Sequence, residues 1–391
     1  MSRTLVIQLA RLGDLVQTMP MIAALRKQCP RDTIDLLCPE PLRDLGTLIP
    51  GLDRVIGWDG ARWHRWAARA TQGIEPDQRE EIEQELAALC PRPYDRAFVL
   101  NQHTRAIVAG TLLANQCIGP LAQGPLSDEL TPWAAYVREI ARTRRSNRIH
   151  LSDAFCGMCG LLPPGTPPRC LTPLASPSRN LEQIGRGGGP WIGIIVGAGD
   201  PARLVPVDVW RTWIIRFLSV LPRGRVVLIG QGAECERARD IQSTLPPSIL
   251  GRIWDITGQT TIHELGQTLI RCHHVIGSDT GPLHLAAAVG TPTLGWYFAR
   301  ARVHETGPYG TGHRIWQAQS EDGGAVVPTT WPIEPTLDAL VNQTPRMQTP
   351  WSQWTSQTDG WGTYYTEAGE SSASPREREA LWHELSPAMP A

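Results

Sequence analysis

No stretch of the chain comes near the ~20 consecutive apolar residues that a bilayer-spanning helix needs. The apolar run nearest the start, residues 5–9, is short, is interrupted by Gln8 and leads straight into charged Arg11 and Asp14, so it does not read as a secretory signal. Surplus charge is missing too. With 37 Lys and Arg against 38 Asp and Glu, the net charge of −1 gives no reason to expect nucleic acid as a partner. The nine cysteines are odd in number and scattered, as reduced thiols are. Cys156-Gly157-Met158-Cys159 is the one Cys-x-x-Cys, within an expected helix over 151–162 that puts both sulfurs on one face. A second ligand pair is lacking, so packed thiols are the better reading than zinc. What is left is a chain 41% hydrophobic and 19% charged, in keeping with a soluble protein, and its 391 residues suffice for two cores. The expected location is the cytoplasm.

Apolar periodicity alternates along the first part. Strands are expected at 4–9, 33–38, 54–57 and 96–101, with helices at 15–29, 41–48, 80–89 and 106–114. Such alternation is the mark of a parallel sheet wrapped by helices. Proline, glycine and serine dominate 166–190, which ends in Gly187-Gly188-Gly189-Pro190 and reads as an interdomain linker. The same logic restarts beyond it, with strands at 191–196, 225–229, 253–256 and 275–276 and helices at 207–221, 235–245, 262–272 and 335–342. The reading is therefore α/β: a domain over 1–165, the linker at 166–190 and a second domain over 191–344. Residues 345–391 are of low complexity yet contain Trp351, Trp354, Trp361 and Trp382, and are expected to form a loosely ordered tail with docking points.

The most informative stretch runs from Val275 to Leu294. A strand ends at Ile276, Asp279-Thr280-Gly281 turns, and Pro282 suits the first helical position because its missing N–H has no partner there anyway. Gly290 fits a left-handed cap. The helix start lies at the carboxyl end of a strand, where free N–H groups and the helix dipole favour a phosphate, although α/β corners of this kind also occur with no ligand. Two βα domains would place a cleft between the carboxyl ends of their sheets, and Asp14, Arg203, Glu234, Asp279 and Thr280 all fall at expected strand ends. Gly230-Gln231-Gly232 is a weak dinucleotide signal, since Cys235 stands where the third glycine belongs.

The segment from Ile7 to Pro20, with Arg11-Leu12-Gly13-Asp14 at its centre, resembles the N-terminal signature of the bacterial lipopolysaccharide heptosyltransferases, glycosyltransferase family 9. Ser278 to Ala288 is similar to their C-terminal signature, and the resemblance spans roughly residues 3–343. It implies a GT-B fold, two Rossmann-like parallel-sheet domains facing an interdomain cleft. It also implies inverting, metal-independent transfer of a heptose from ADP-heptose to a glycan or glycolipid, such as the lipopolysaccharide inner core, with no cofactor. In that setting Asp14 is the general base, with a helix-capping role as the alternative. Arg203 stands where the family carries a diphosphate-neutralising lysine, and Val205 where it carries a tryptophan; an arginine keeps the charge, and a solvated surface arginine is the alternative. Glu234 is placed at the nucleotide ribose or as a plain N-terminal helix acid, Asp279 at sugar hydroxyls, and Thr280 and Gly281 at the diphosphate, while His284 reads as structural. Arg62, Arg65, Arg105, Arg142 and Arg145 are candidates for binding an anionic acceptor at the cytoplasmic face of the inner membrane, or form ordinary solvated helix faces. A protein acceptor and a non-catalytic nucleotide-sugar-binding module remain open as alternatives.

Overall fold

The computed structural model describes residues 1–63, 80, 84, 87–119, 131–140, 147–171, 182–319, 326–341, 350–368 and 375–386. The chain divides into two compact units, Met1–Thr143 with Leu151–Pro164 and Glu379–Ala391, and Arg144–His150 with Gly165–Arg378.

In the first unit β1 (Arg3–Ile7) leads into the short helix α1 (Leu12–Val16) and then α2 (Met19–Gln28). The single helix expected over 15–29 is thus two. Pro20 offers no N–H to the Val16 carbonyl, so the backbone turns at Gln17-Thr18, and the Thr18 hydroxyl donates to the Leu15 carbonyl at 2.6 Å. Strands β2 (Thr33–Pro39), β3 (Arg54–Trp58), β4 (Arg96–Val99) and β5 (Cys117–Ile118) complete a sheet with helices α3 (Thr104–Leu113), α4 (Pro132–Ile140) and α5 (Leu151–Met158). Its order is β3-β2-β1-β4-β5, and all pairs are parallel. Leu5, Ile7, Leu37, Tyr94, Ala97 and Val99 meet in its core, with Ala106 and Ala109 of α3 small enough to let the helix close on the strands. Cys156 of α5 is fully buried and its thiol donates to the Ser152 carbonyl at 3.5 Å, the position of a packed thiol.

The second unit is built from β6 (Trp191–Ile195), α6 (Val207–Val220), β7 (Arg225–Ile229), α7 (Cys235–Ser243), β8 (Ile253–Asp255), α8 (Ile262–Arg271), β9 (His274–Ser278), α9 (Gly281–Ala288), β10 (Thr293–Tyr297), β11 (Arg314–Ala318) and α10 (Ile333–Leu340). Strands β8-β7-β6-β9-β10-β11 are all parallel. Tryptophans fill much of this core: Trp210 of α6 stacks on Trp296 of β10 with centroids 4.9 Å apart and planes 11° from parallel.

The expected loose tail is not what residues 351–367 and 375–385 form. β12 (Trp351–Asp359) adds antiparallel to β11, and β13 (Gly362–Glu367) adds antiparallel to β12, so the second sheet has eight strands and is mixed. Serine, threonine and glutamine make this stretch look like low complexity, but Thr, Trp and Tyr are strand formers, and Trp351, Ser356 and Tyr365 are buried. The last helix, α11 (Pro375–Leu385), carries Trp382, itself a residue of the first unit, which is buried against Trp133 of that same unit with centroids 4.2 Å apart. Trp133 Nε1 donates to Ser386 Oγ at 2.6 Å. None of the described helices is long and apolar enough to cross a membrane.

Candidate active site

An open parallel sheet binds ligands outside the carboxyl ends of its strands, where the strand order reverses. In the first sheet the chain runs outward from β1 to β3 and then restarts beside β1 with β4, so the reversal lies between β1 and β4. The segment directly after β1 carries Asp14. One of its carboxylate oxygens, Oδ2, accepts the Arg11 N–H at 3.1 Å, which pins the residue before α1 to the first turn of the helix. The segment after β4 supplies Asn101, whose side chain accepts the Leu9 N–H at 2.5 Å and donates to Gln8 Oε1. Gln8 in turn donates to the Asp14 carbonyl at 3.4 Å. Gln8 and Asn101 are buried, and this polar pair braces the turn that presents Asp14. Neither residue stands out in the sequence as a site candidate, although a glutamine ending an apolar strand is a usable signal.

Arg105, in the first turn of α3, donates from Nη2 to the Leu9 carbonyl at 3.3 Å, so it stands beside the same segment. The backbone N–H of Arg62 donates to Asp59 Oδ1 at 3.0 Å, while Trp63 stacks on Trp58 at 4.2 Å. Arg65, Arg142 and Arg145 lie outside the described residues.

The second sheet reverses between β6 and β9. Directly after β6 the chain forms the Arg203 loop, with a 3-10 turn at Pro201–Arg203 that Asp200 caps by accepting the Ala202 N–H at 3.0 Å. After β9 come Asp279-Thr280-Gly281 and helix α9. The fold thus brings together residues 76 apart in sequence: Arg203 Nη1 donates to Asp279 Oδ2 at 2.7 Å and to the Asp279 carbonyl at 2.8 Å. Both bonds leave from one nitrogen, and Nε and Nη2 make no hydrogen bond among the described residues. His284, on the first full turn of α9, places Nε2 3.3 Å from the other Asp279 oxygen, Oδ1. Burial would raise the Asp279 carboxyl, but the hydrogen bond from His284 and the charges of His284 and Arg203 outweigh it and hold its pKa below the usual aspartate value. Tyr297 ends β10, the strand next to β9. Burial first, and the Asp279 charge after it, push its phenol well above the ordinary range, while its hydroxyl donates to the Thr306 carbonyl at 2.9 Å. The register pairs Trp296 with Ser278, which leaves Tyr297 beside Asp279, a neighbour that no local pattern announces.

The Thr280 hydroxyl is buried and has no hydrogen-bond partner among the described residues, and Gly281 begins α9 with an N–H that no carbonyl of the helix can reach, whereas Pro282 has no N–H and the Leu283 N–H donates to the Thr280 carbonyl at 3.1 Å. A buried unpaired hydroxyl beside a helix start and a guanidinium suits an anionic oxygen. Glu234 closes the 3-10 turn after β7 and accepts the Gln231 N–H. Its side chain lies across Gly197 and Gly230, because a Cβ on Gly197 would come within 2.2 Å of Glu234 Oε1. Arg203, Glu234, Asp279, Thr280 and Gly281 therefore all stand at the carboxyl ends of β6, β7 and β9 in one unit, whereas Asp14 and Arg105 stand at the corresponding end of the first sheet.

The family model for "Glycosyltransferase family 9 (heptosyltransferase)" matches residues 86–326, more than half of the chain. The chain belongs to that family. It is a family 9 glycosyltransferase, an α/β protein of the GT-B class. Among solved structures it is similar to Escherichia coli ADP-heptose lps heptosyltransferase II (17% identity, TM-score 0.62, covering 87% of this chain and 98% of that one). The glycosyl transferase family 9 protein of Veillonella parvula is similar at 17% identity and TM-score 0.61, over 82% of this chain and 88% of that one. The E. coli heptosyltransferase WaaC, solved with ADP, matches at 18% identity and TM-score 0.57, over 79% and 91%. No curated protein matches by sequence. The family match takes in Arg203, Glu234, Asp279, Thr280 and Gly281, and begins well after Asp14.

Proposed function

We propose that this family 9 enzyme moves a heptose from ADP-heptose to a glycan acceptor such as the lipopolysaccharide inner core, with inversion and without a metal. The observation that carries the reading is the Arg203–Asp279–His284 constellation beside Thr280 and the start of α9. It joins positive charge and free donors for a diphosphate to a carboxylate fixed for sugar hydroxyls. In the reaction an acceptor hydroxyl passes its proton to the Asp14 carboxylate as its oxygen attacks the anomeric carbon. The bond from that carbon to the diphosphate oxygen breaks, and ADP leaves with the electron pair. Arg203, the Thr280 hydroxyl and the Gly281 N–H receive the charge that develops on the leaving oxygen. Glu234 accepts hydrogen bonds from the ribose hydroxyls. The single displacement inverts the configuration once. Arg62, Arg65, Arg105, Arg142 and Arg145 serve an acceptor bearing carboxylates or phosphates, at the cytoplasmic face of a bacterial inner membrane.

Product analysis tests the mechanism. Nuclear magnetic resonance of the transferred sugar is expected to show the opposite anomer to the donor, with an undiminished rate in EDTA. A retained anomer, or a rate that EDTA abolishes and Mg²⁺ restores, contradicts it. Gly197 offers a second check. Gly197→Ala places a methyl against Glu234 Oε1, Cδ and Cγ, all closer than 3 Å, so the glutamate is displaced. Calorimetry is expected to find ADP bound about tenfold more weakly, the share of one hydrogen bond to a charged group. Unchanged affinity removes Glu234 from the ribose.

A further inference from the structure

We infer that Arg237 is a positioning residue that ties both ends of the Arg203 loop to the helix after Glu234. The inference rests on the donor-site reading given above. Residues 197–204 leave the sheet after Val196 and rejoin buried structure at Val205, which stands in the core just before α6. Arg237 Nε donates to the Val196 carbonyl at 2.8 Å, and Arg237 Nη2 donates to the Val205 carbonyl. One guanidinium thus holds the two carbonyls that bracket the loop. Inside the loop the backbone bonds are short-range, Arg203 N–H to Asp200 and Leu204 N–H to Pro201.

A planar fork is needed for this work. The ammonium of a lysine is a single point and cannot reach both carbonyls in the same directions. Arg237 is half-buried, and Asp240 and Glu234 lie near enough to support its charge against that burial. It lies in the first turn of α7, directly after Glu234 at the helix cap, so one short segment carries both the candidate ribose ligand and the staple of the candidate diphosphate loop. The arrangement makes the position of Arg203 depend on a side chain whose bonds among the described residues go to the Val196 and Val205 carbonyls.

The test uses the full chain, ADP as the probe, and four proteins: wild type, Arg203→Ala, Arg237→Met and the double variant. Arg237→Met is expected to bind ADP about tenfold more weakly. The double variant is expected to bind no more weakly than Arg203→Ala alone, because Arg237 acts through Arg203. Hydrogen exchange of the amides over 197–205 is expected to quicken in Arg237→Met while those of β6 and β7 stay protected. Arg237→Lys, which keeps the charge and one bond, is expected to fall between wild type and Arg237→Met, and it keeps the test alive where the methionine variant does not fold. Additive losses, wild-type affinity in Arg237→Met, or unchanged exchange in the loop overturns the inference. Arg203→Ala binding ADP like wild type would instead remove the diphosphate role of Arg203, and loop exchange would then decide on its own whether Arg237 is the staple.

Discussion

Asp14→Asn is expected to lower the rate of heptose transfer by about 10²–10⁴-fold, the range that a positioned general base contributes, while ADP binds as before. The asparagine keeps the size of the side chain, and its amide oxygen can still accept the Arg11 N–H at the start of α1. The cap therefore survives, and a carboxylate able to take a proton does not. This separates the two jobs the residue is able to do, because loss of a helix cap costs about 1 kcal/mol of stability and leaves chemistry untouched. Quenched-flow measurement of a single turnover, run beside a thermal melt, reads both. Transfer at the wild-type rate, whatever the melt shows, removes Asp14 from the reaction.

Arg203→Ala is expected to weaken ADP binding by about 10–100-fold, as loss of a charge-assisted hydrogen bond worth about 1.5–3 kcal/mol would. It also strips Asp279 of its nearest cation, 2.7 Å away and largely buried. The sign of the resulting pH effect is fixed. A carboxylate with a depressed folded pKa contributes stability above its unfolded value, and that contribution is lost as pH falls through the folded one. In the wild type that loss lies below the ordinary aspartate value of 3.8. Without Arg203 it moves to higher pH, so the acid-unfolding midpoint rises. Arg203→Lys is expected to fall between the two in ADP affinity. An ammonium that satisfies Asp279 has no second, rigidly placed nitrogen to offer a phosphate, whereas the arginine meets Asp279 with Nη1 alone. Calorimetric titrations of the three proteins with ADP check the order, and equal affinities in all three remove the diphosphate from Arg203.

The strand-and-helix alternation of both halves is legible in the sequence because helical and strand periods differ, and the second signature places a helix start at Gly281-Pro282 where one is found. The break at Gln17-Thr18 is hidden because the apolar spacing continues across it, and only the absent N–H of Pro20 marks the turn. The hairpin of β12 and β13 is masked by composition: polar strand formers at a sheet edge have the same residue content as a loose tail. Within the candidate site, strand ends lead to Arg203, Glu234 and Asp279 one at a time. The bond between Arg203 and Asp279 is not readable, since it depends on the strand order that sets β6 beside β9. Tyr297, Asn101 and Arg237 escape for the same reason. Each acts across the sheet on a segment far from it in sequence, and no local spacing encodes such a contact.

The identity of the donor is read by a donor panel. The purified chain is incubated with an inner-core acceptor and, separately, with ADP-heptose, ADP-glucose, GDP-mannose and UDP-glucose, and release of the nucleoside diphosphate is measured. Release of ADP from ADP-heptose is expected, dependent on the acceptor and lost in Asp14→Asn. Turnover of a uridine or guanosine donor with ADP-heptose left intact would contradict it.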